Sequence, residues 1–184
     1  MPLISLNQAG KRYLKKTFNF AINKSDFVLV SGDNGNGKTT LIQLIMGFTR
    51  PDVGFIETKK LKIGYLPEKA MLPMFVNVKA YLNTIAKIKK SKLDQQLLLA
   101  FHIPVVKSIH ELSKGNQQKL AIVSTFMGKP DLIILDEPLS GLDEESTVIL
   151  KNHIEQKKQE GMSFVVSTHH PELFIHMANQ HLKL

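Results

Sequence analysis

The segment Phe27-Val28-Leu29-Val30-Ser31 runs directly into Gly32-Asp33-Asn34-Gly35-Asn36-Gly37-Lys38-Thr39. A short, wholly apolar stretch of this kind reads as a strand buried on both faces. The loop fits the spacing G-x-x-x-x-G-K-[ST], and residues 38–47 then place Leu41, Leu44 and Ile45 at helical spacing. Strand, glycine-rich loop and helix in this order commit the chain to an α/β core, with the loop at the C-terminal edge of a parallel sheet. Glycines let successive N–H groups turn toward an anion, the lysine adds a positive charge, and the helix behind presents its N-terminal dipole. Gly32, Asp33, Asn34, Gly35, Asn36, Gly37, Lys38, Thr39 and Thr40 are therefore the expected phosphate-contacting run, with the Thr39 hydroxyl available to Mg²⁺.

A second aliphatic run, Leu132-Ile133-Ile134-Leu135, ends in Asp136-Glu137. A buried strand that terminates in carboxylates holds them rigidly at the sheet edge where ligands of open α/β sheets bind. Asp136 is expected in the Mg²⁺ shell, and Glu137 is placed to orient or deprotonate an attacking water. Two acids after a strand also suit a plain solvated loop, and it is the phosphate loop upstream that gives the pair its chemical meaning. The two motifs together specify nucleoside-triphosphate chemistry without saying which kind.

The remaining pattern predicts short strands at residues 3–6 and 18–22 joined by a basic turn, a turn at Pro51–Gly54, and a strand at 62–66. Residues 77–101 read as helical, Ser113 opens another helix to Met127, residues 144–160 form a polar helix stopped by Gly161, and residues 164–167 form a third core strand. Residues 171–178 read as a last short helix. The expected fold is a single α/β domain over residues 1–184: a mostly parallel sheet with an antiparallel β part near the N-terminus. Its core spans 1–66 and 131–184, and a helical insertion spans about 67–130.

Composition narrows the function. With no cysteine, disulfides, thiolate metal sites and a cysteine nucleophile are excluded. No apolar run approaches the roughly 20 residues of a membrane span, and no leader pattern opens the chain, so a membrane role requires a separate membrane partner. The net charge of +8 is uneven, with fifteen basic and five acidic residues before position 91. Such a surface suits phosphates, nucleic acid or an anionic membrane, or is simply a solvated lysine face. Only Arg12 and Arg50 are arginine, which argues against sequence-specific nucleic-acid binding, and no nucleic-acid partner is expected.

Taken in order, the motifs resemble those of the ABC (ATP-binding cassette) ATPases. Leu112-Ser113-Lys114-Gly115-Asn116-Gln117-Gln118 is similar to the family signature, Ser140-Gly141-Leu142-Asp143 to its D-loop, and Ser167-Thr168-His169 to its switch-histidine motif. Tyr13 lies 25 residues before Lys38, where the family places an aromatic ring against adenine, and Tyr65-Leu66-Pro67-Glu68 is similar to the loop leading into the helical subdomain. The resemblance covers essentially the whole chain. It implies ATP and Mg²⁺ as ligands, Glu137 as base, and His169 and Lys38 on the γ-phosphate. It further implies Tyr13 against adenine, Thr39, Asp136 and Glu68 around the metal, and Ser113, Lys114, Gly115, Asn116 and Asp143 meeting the nucleotide of a second subunit. It implies a head-to-tail homodimer or heterodimer, working with a transmembrane permease from the cytoplasmic face of the cell membrane. Residue by residue, Tyr13 also suits a surface aromatic, and His170 an ordinary strand-end histidine.

Three positions depart from the family pattern: Glu68 stands for glutamine, Lys114 for glycine and Asn116 for glutamine. These departures resemble the exporter branch that serves drug, sodium, peptide or antibiotic efflux. The chain also ends soon after the switch histidine, so the family's C-terminal regulatory extension is expected to be absent. A non-transport member acting on ribosomes or DNA would carry two cassettes or long coiled coils, neither of which is seen here. A regulatory subunit with impaired hydrolysis fits the altered signature, while Glu137 and His169 oppose it. Finally, Ala70-Met71-Leu72-Pro73-Met74-Phe75-Val76 is apolar but lacks helical or strand periodicity. Met74 and Phe75 are expected to be partly exposed in a surface that docks the membrane partner; the other reading has Leu72, Phe75 and Val76 anchoring the helical core.

Overall fold

A computed structural model describes residues 2–184. Five strands form a parallel sheet in the order β5-β6-β7-β3-β8. They are β3 (Phe27–Ser31), β5 (Ile63–Leu66), β6 (Leu132–Asp136), β7 (Ser163–Thr168) and β8 (Gln180–Lys183). Every residue of β3, β6 and β7 is buried, as uninterrupted aliphatic runs require once both faces of a parallel sheet are covered. A second sheet is antiparallel, ordered β2-β1-β4, from β1 (Ile4–Lys11), β2 (Lys16–Ile22) and β4 (Val53–Thr58). This is the α/β architecture expected from the sequence.

Alternation along the central strands divides the core in two. Val28, Val30, Leu132, Ile134 and Val165 face the antiparallel sheet and α1 (Lys38–Ile45), whose Leu41, Ile42, Leu44 and Ile45 are buried against them. Phe27, Leu29, Ile133, Leu135, Phe164 and Val166 face the other way. There they meet α4 (Lys114–Phe126) and α5 (Glu144–Gln159), through Leu120 and Val123 of the first and Leu150 and Ile154 of the second. Between β5 and β6 the described residues form α2 (Val78–Ile88), α3 (Gln95–Ala100) and α4, a single turn at Ile109–Glu111, and an isolated antiparallel bridge between Asn77 and Ser108.

Four expectations need correction. The helix expected over 77–101 is two helices. Lys90 adopts φ 48° just past α2, and Asp94 restarts the chain by accepting a 3.0 Å bond from Leu97 N–H as the cap of α3. The helix expected over 171–178 is two 3₁₀ turns, Pro171–Leu173 and Ile175–Met177, separated by Phe174 at φ −126°. β4 begins inside the segment read as a turn, and β8 was not expected at all; Gln180-His181-Leu182-Lys183 is short, polar and at an edge.

β1 carries a bulge: its pairing with both neighbours shifts register after Leu6 and Asn7, and Gln8 sits at φ 48°. Gly54 packs into this kink at φ 68°, where a Cβ would lie 2.2 Å from the Gln8 carbonyl oxygen and 2.3 Å from that of Asn7. Both atoms are backbone and cannot swing aside. Gly54→Ala is therefore expected to cost about 2–4 kcal/mol, from left-handed strain and overpacking together. Chemical denaturation checks this, and a loss no larger than that of an ordinary surface substitution would mean that the bulge relaxes.

Candidate functional site

Parallel register gathers the chemistry-bearing residues at one sheet edge. Ser31, the last residue of β3, pairs with Thr168 at the end of β7, and Asp136 at the end of β6 pairs with Ser167. Leu66 closes β5 opposite Leu135, two residues before Glu68. The phosphate loop, Asp136-Glu137, Thr168-His169 and Glu68 therefore emerge side by side around a cavity of about 650 Å³.

The loop forms the cavity floor. Gly35 and Gly37 hold φ of 83° and 96°, and a Cβ on Gly35 would meet nothing within 4 Å, so its backbone stands open to a ligand. Lys38 is buried. Its Nζ donates to the Gly32 carbonyl at 2.6 Å and lies 3.3 Å from both the Asp33 carbonyl and His169 Nε2. Asp33, Asn34, Thr39 and Thr40 also line the cavity, whereas Gly32 and Asn36 do not. Tyr13 stands at the rim, 66% exposed, with its hydroxyl 3.2 Å from Thr40 Oγ1. A flat, exposed ring beside a phosphate-type loop can stack on a planar base.

Across the cavity, Asp136 is buried and accepts a short hydrogen bond from Ser167 Oγ. Burial raises its pKa above the usual carboxylate value, and the Glu68 carboxylate raises it further; the Ser167 hydroxyl, Lys38 and His169 oppose the shift. Glu137 follows with φ 48°, a left-handed conformation that costs a residue with a Cβ about 1–2 kcal/mol. It is held there by its N–H, which donates to the Ser167 carbonyl at 3.0 Å, and by its carbonyl, which accepts from Ser140 N–H at 3.1 Å. The turn aims the side chain at His169: Oε2 accepts from His169 N–H at 3.3 Å, and Oε1 lies 3.2 Å from His169 Nε2. That last contact lacks hydrogen-bond geometry, so Oε1 is a buried acceptor without a donor. Strain and an unsatisfied acceptor at one residue mark a group held ready for a ligand.

Thr39, Asp136 and Glu68 present one hydroxyl and two carboxylates to the same space. These are hard oxygen donors, and a cation would relieve the burial and mutual repulsion of the acids, so the residues fit Mg²⁺. Among the described residues no group of three or more His, Asp or Glu side chains could cage an ion alone. Mg²⁺, which keeps waters and takes substrate phosphates, needs no such cage.

The signature residues lie elsewhere. Ser113 caps α4, its Oγ accepting from Asn116 N–H at 3.2 Å, and Lys114, Gly115 and Asn116 form the first turn. None of them lines the cavity, and neither does Asp143, which caps α5 through Ser146 N–H at 2.8 Å and pairs with Lys119 at 3.2 Å. These contacts hold the Asp143 carboxyl at about 2. Gly115 abuts Gly141, where a Cβ would come within 3.1 Å of the carbonyl oxygen. Sequence reasoning missed Ser167 as the partner of Asp136 and missed Leu14, Leu139, Ser140 and Thr168 as lining residues; it set aside His170, which also lines the cavity. Ser167 and Thr168 stood inside a quoted motif, but only the register shows what they face.

A buried ionised carboxylate costs stability at neutral pH. Because the folded pKa of Asp136 is raised, that cost falls as pH drops through the folded value and is gone below the unfolded one. Asp136→Asn, similar in shape and uncharged, is therefore expected to melt at a higher temperature than wild type near pH 7, with the gap closing toward pH 4. A lower melting temperature at pH 7 would show that the Ser167 contact outweighs the charge.

The ABC transporter family profile matches residues 15–140. An uncharacterised ABC transporter ATP-binding protein of Methanocaldococcus jannaschii is 34% identical over 89% of this chain. The zinc import ATP-binding protein ZnuC of Vibrio parahaemolyticus is 33% identical over 83% of it. The matches cover 65% and 62% of those two relatives, so the chain spans just under two thirds of their length. The solved structure of an ATP-binding subunit of an ABC transporter superposes with a TM-score of 0.88 at 25% identity, covering 99% of this chain and 85% of that one. With its motifs at one sheet edge, the profile match across most of its length and this likeness in fold, the chain belongs to the ABC transporter family of ATP-binding proteins.

Proposed function

We propose that this chain binds ATP with Mg²⁺, hydrolyses it, and drives transport through a separate membrane subunit. One observation carries the reading: over the phosphate-loop floor, His169 Nε2 lies 3.3 Å from Lys38 Nζ on one side and 3.2 Å from Glu137 Oε1 on the other. ATP lies with its base against Tyr13, its phosphates on the backbone N–H groups of the loop, and its γ-phosphate beside Lys38 and His169. Glu137 accepts a proton from a water as the water oxygen attacks the γ-phosphorus; the bond to the bridging oxygen breaks, and ADP and phosphate leave. Mg²⁺, when bound by Thr39, Asp136 and Glu68, supplies neutralisation of phosphate charge.

Two chains pack head to tail in this reading. Ser113 and Lys114 are exposed at the start of a 13-residue helix and unused by their own cavity, which fits a donor surface for the γ-phosphate of a second subunit. A lysine beside a helix N-terminus opposes the dipole unless an anion approaches. Among the described residues no helix is long and apolar enough to cross a membrane; in this reading the translocation path is formed by a separate membrane subunit. A docking surface is at hand: Met71 and Phe75 are 97% and 90% exposed, and Met74 and Val76 more than a third. Leu72 packs against the core, so the apolar stretch divides between anchoring and display. The pair sits on the cytoplasmic face, where ATP is available. The departures at Glu68, Lys114 and Asn116 suggested export, whereas the named relatives include zinc import proteins. A hydrolysis cycle drives either direction, so we leave direction to the membrane subunit.

Glu137→Gln is expected to bind ATP with wild-type affinity, lose at least about 100-fold in turnover, and elute as a dimer with ATP on gel filtration. A turnover loss below about threefold would assign the base to another group; a wild-type chain that binds but never hydrolyses would favour the regulatory reading. Phe75→Asp is expected to abolish co-purification with the membrane subunit while leaving folding and basal ATPase activity intact. Undiminished co-purification would place docking elsewhere.

A further inference from the structure

Asn36 occupies the middle of the phosphate loop yet does not line the cavity. Its side chain points backward, and Nδ2 donates to the Leu184 carbonyl at 3.0 Å. That acceptor is itself fixed: Leu184 N–H donates to the Ser31 carbonyl at 2.8 Å, extending the parallel pairing of β8 with β3 beyond Lys183. Gly32, the first loop residue, packs on the same group so closely that a Cβ would fall 2.6 Å from the Leu184 oxygen. A further tie joins the strands one step earlier, where Ser31 Oγ lies 2.8 Å from His181 Nε2. The loop is therefore braced at its first residue and at its midpoint by one backbone group of an edge strand that contributes nothing to the cavity wall.

We propose that Asn36 is a positioning residue: by tying the phosphate loop to the end of β8, it holds the loop N–H groups converged before nucleotide arrives and so sets ATP affinity. The loop needs such a tie. Its glycines adopt left-handed angles that other conformations compete with, and Gly35 has no neighbour within 4 Å of where a Cβ would stand. Between the last residue of β3 and the first turn of α1, the side chain of Asn36 is the loop's link to the sheet's outer strand. Ordering the loop in advance lowers the entropy lost on binding, and the gain appears in affinity. The tie acts on binding and not on the chemical step, because Glu137 and His169 are fixed from β6 and β7.

This inference rests on the ATP-binding reading above, and the test separates the two. Calorimetry measures the ATP affinity of wild type, Asn36→Ala, Leu184→Pro and the double variant. Leu184→Pro deletes the N–H donated to Ser31 and so frees the acceptor. Each single change is expected to weaken ATP binding about fivefold, the worth of one hydrogen bond, and the double variant to be about as weak as either alone. In steady-state assays Asn36→Ala is expected to raise KM by a similar factor with kcat within about twofold of wild type. Unchanged affinity in Asn36→Ala overturns the tie, and so does a fivefold loss that repeats in full on the Leu184→Pro background, since Asn36 would then touch the nucleotide itself. Wild-type protein that binds no ATP removes the proposed function, and this inference with it.

Discussion

The site depends on the parallel pairing of β3, β7 and β6. All three strands are buried at every position, so each is held by packing on both faces as well as by its ladder. Their register decides which side chains meet at the edge: Ser31 beside Thr168, and Ser167 beside Asp136. A slip of one residue would move an edge group by about 3.3 Å, more than any hydrogen bond tolerates, and would turn each side chain to the opposite face. Asp136 would lose the Ser167 hydroxyl, and Glu137 would lose the Ser167 carbonyl that holds its turn. Phe27 packs against Phe164 (tilted, centroids 5.7 Å apart) and Phe174 (stacked, 6.3 Å) on one face, which helps to make such a slip costly.

Stability and function occupy different parts of this frame. The two apolar clusters flank the sheet, while unfavourable features collect at its C-terminal edge. Asp136 is ionisable and buried, Glu137 is in the left-handed region with an acceptor unsatisfied, and Lys38 bonds carbonyls and a histidine in place of a carboxylate among the described residues. Each of these would be relieved by a ligand that brings phosphate oxygens to Lys38, a cation to Asp136 and a water to Glu137. The stress is local because the surrounding strands overdetermine it.

The central strands and the phosphate loop were legible because their signals are local: four aliphatic residues in a row, then glycines or acids at fixed offsets. β8 was not, since Gln180 and Lys183 carry no apolar alternation and the strand exists only because β3 leaves an edge to pair with. β4 was hidden by Gly54, which reads as a turn residue and is in fact the partner a bulge in β1 demands. The break between α2 and α3 falls in Lys89-Lys90-Ser91-Lys92, residues with acceptable helix propensity, and is set by tertiary contacts such as Lys89 Nζ on the Ser124 carbonyl at 2.7 Å. At the site, residue identities were readable and orientations were not. Asn36 belonged to the loop by spacing, but nothing in one sequence says that its amide turns away from the cavity toward Leu184.

The segment from Glu137 to Asp143 joins the two surfaces that the sequence motifs had put together and the fold sets apart. Its first half lines the cavity through Leu139 and Ser140; its second half turns at Gly141, against Gly115, and ends at Asp143, paired with Lys119 of α4. Seven residues thus run from the carboxylate of one half-site to the neighbourhood of the helix start that would complete another. The connection is stiff: the Ser140 N–H bonds the Glu137 carbonyl at 3.1 Å, the Leu142 N–H bonds the Leu139 carbonyl at 3.2 Å, and Asp143 caps α5. A stiff link of this length cannot absorb a change at Glu137 without passing some of it to the first turn of α4. In the head-to-tail pair proposed above, that turn faces the other nucleotide, so the loop and its non-covalent contacts with Gly115 and Lys119 offer a route by which the state of one site reaches its twin.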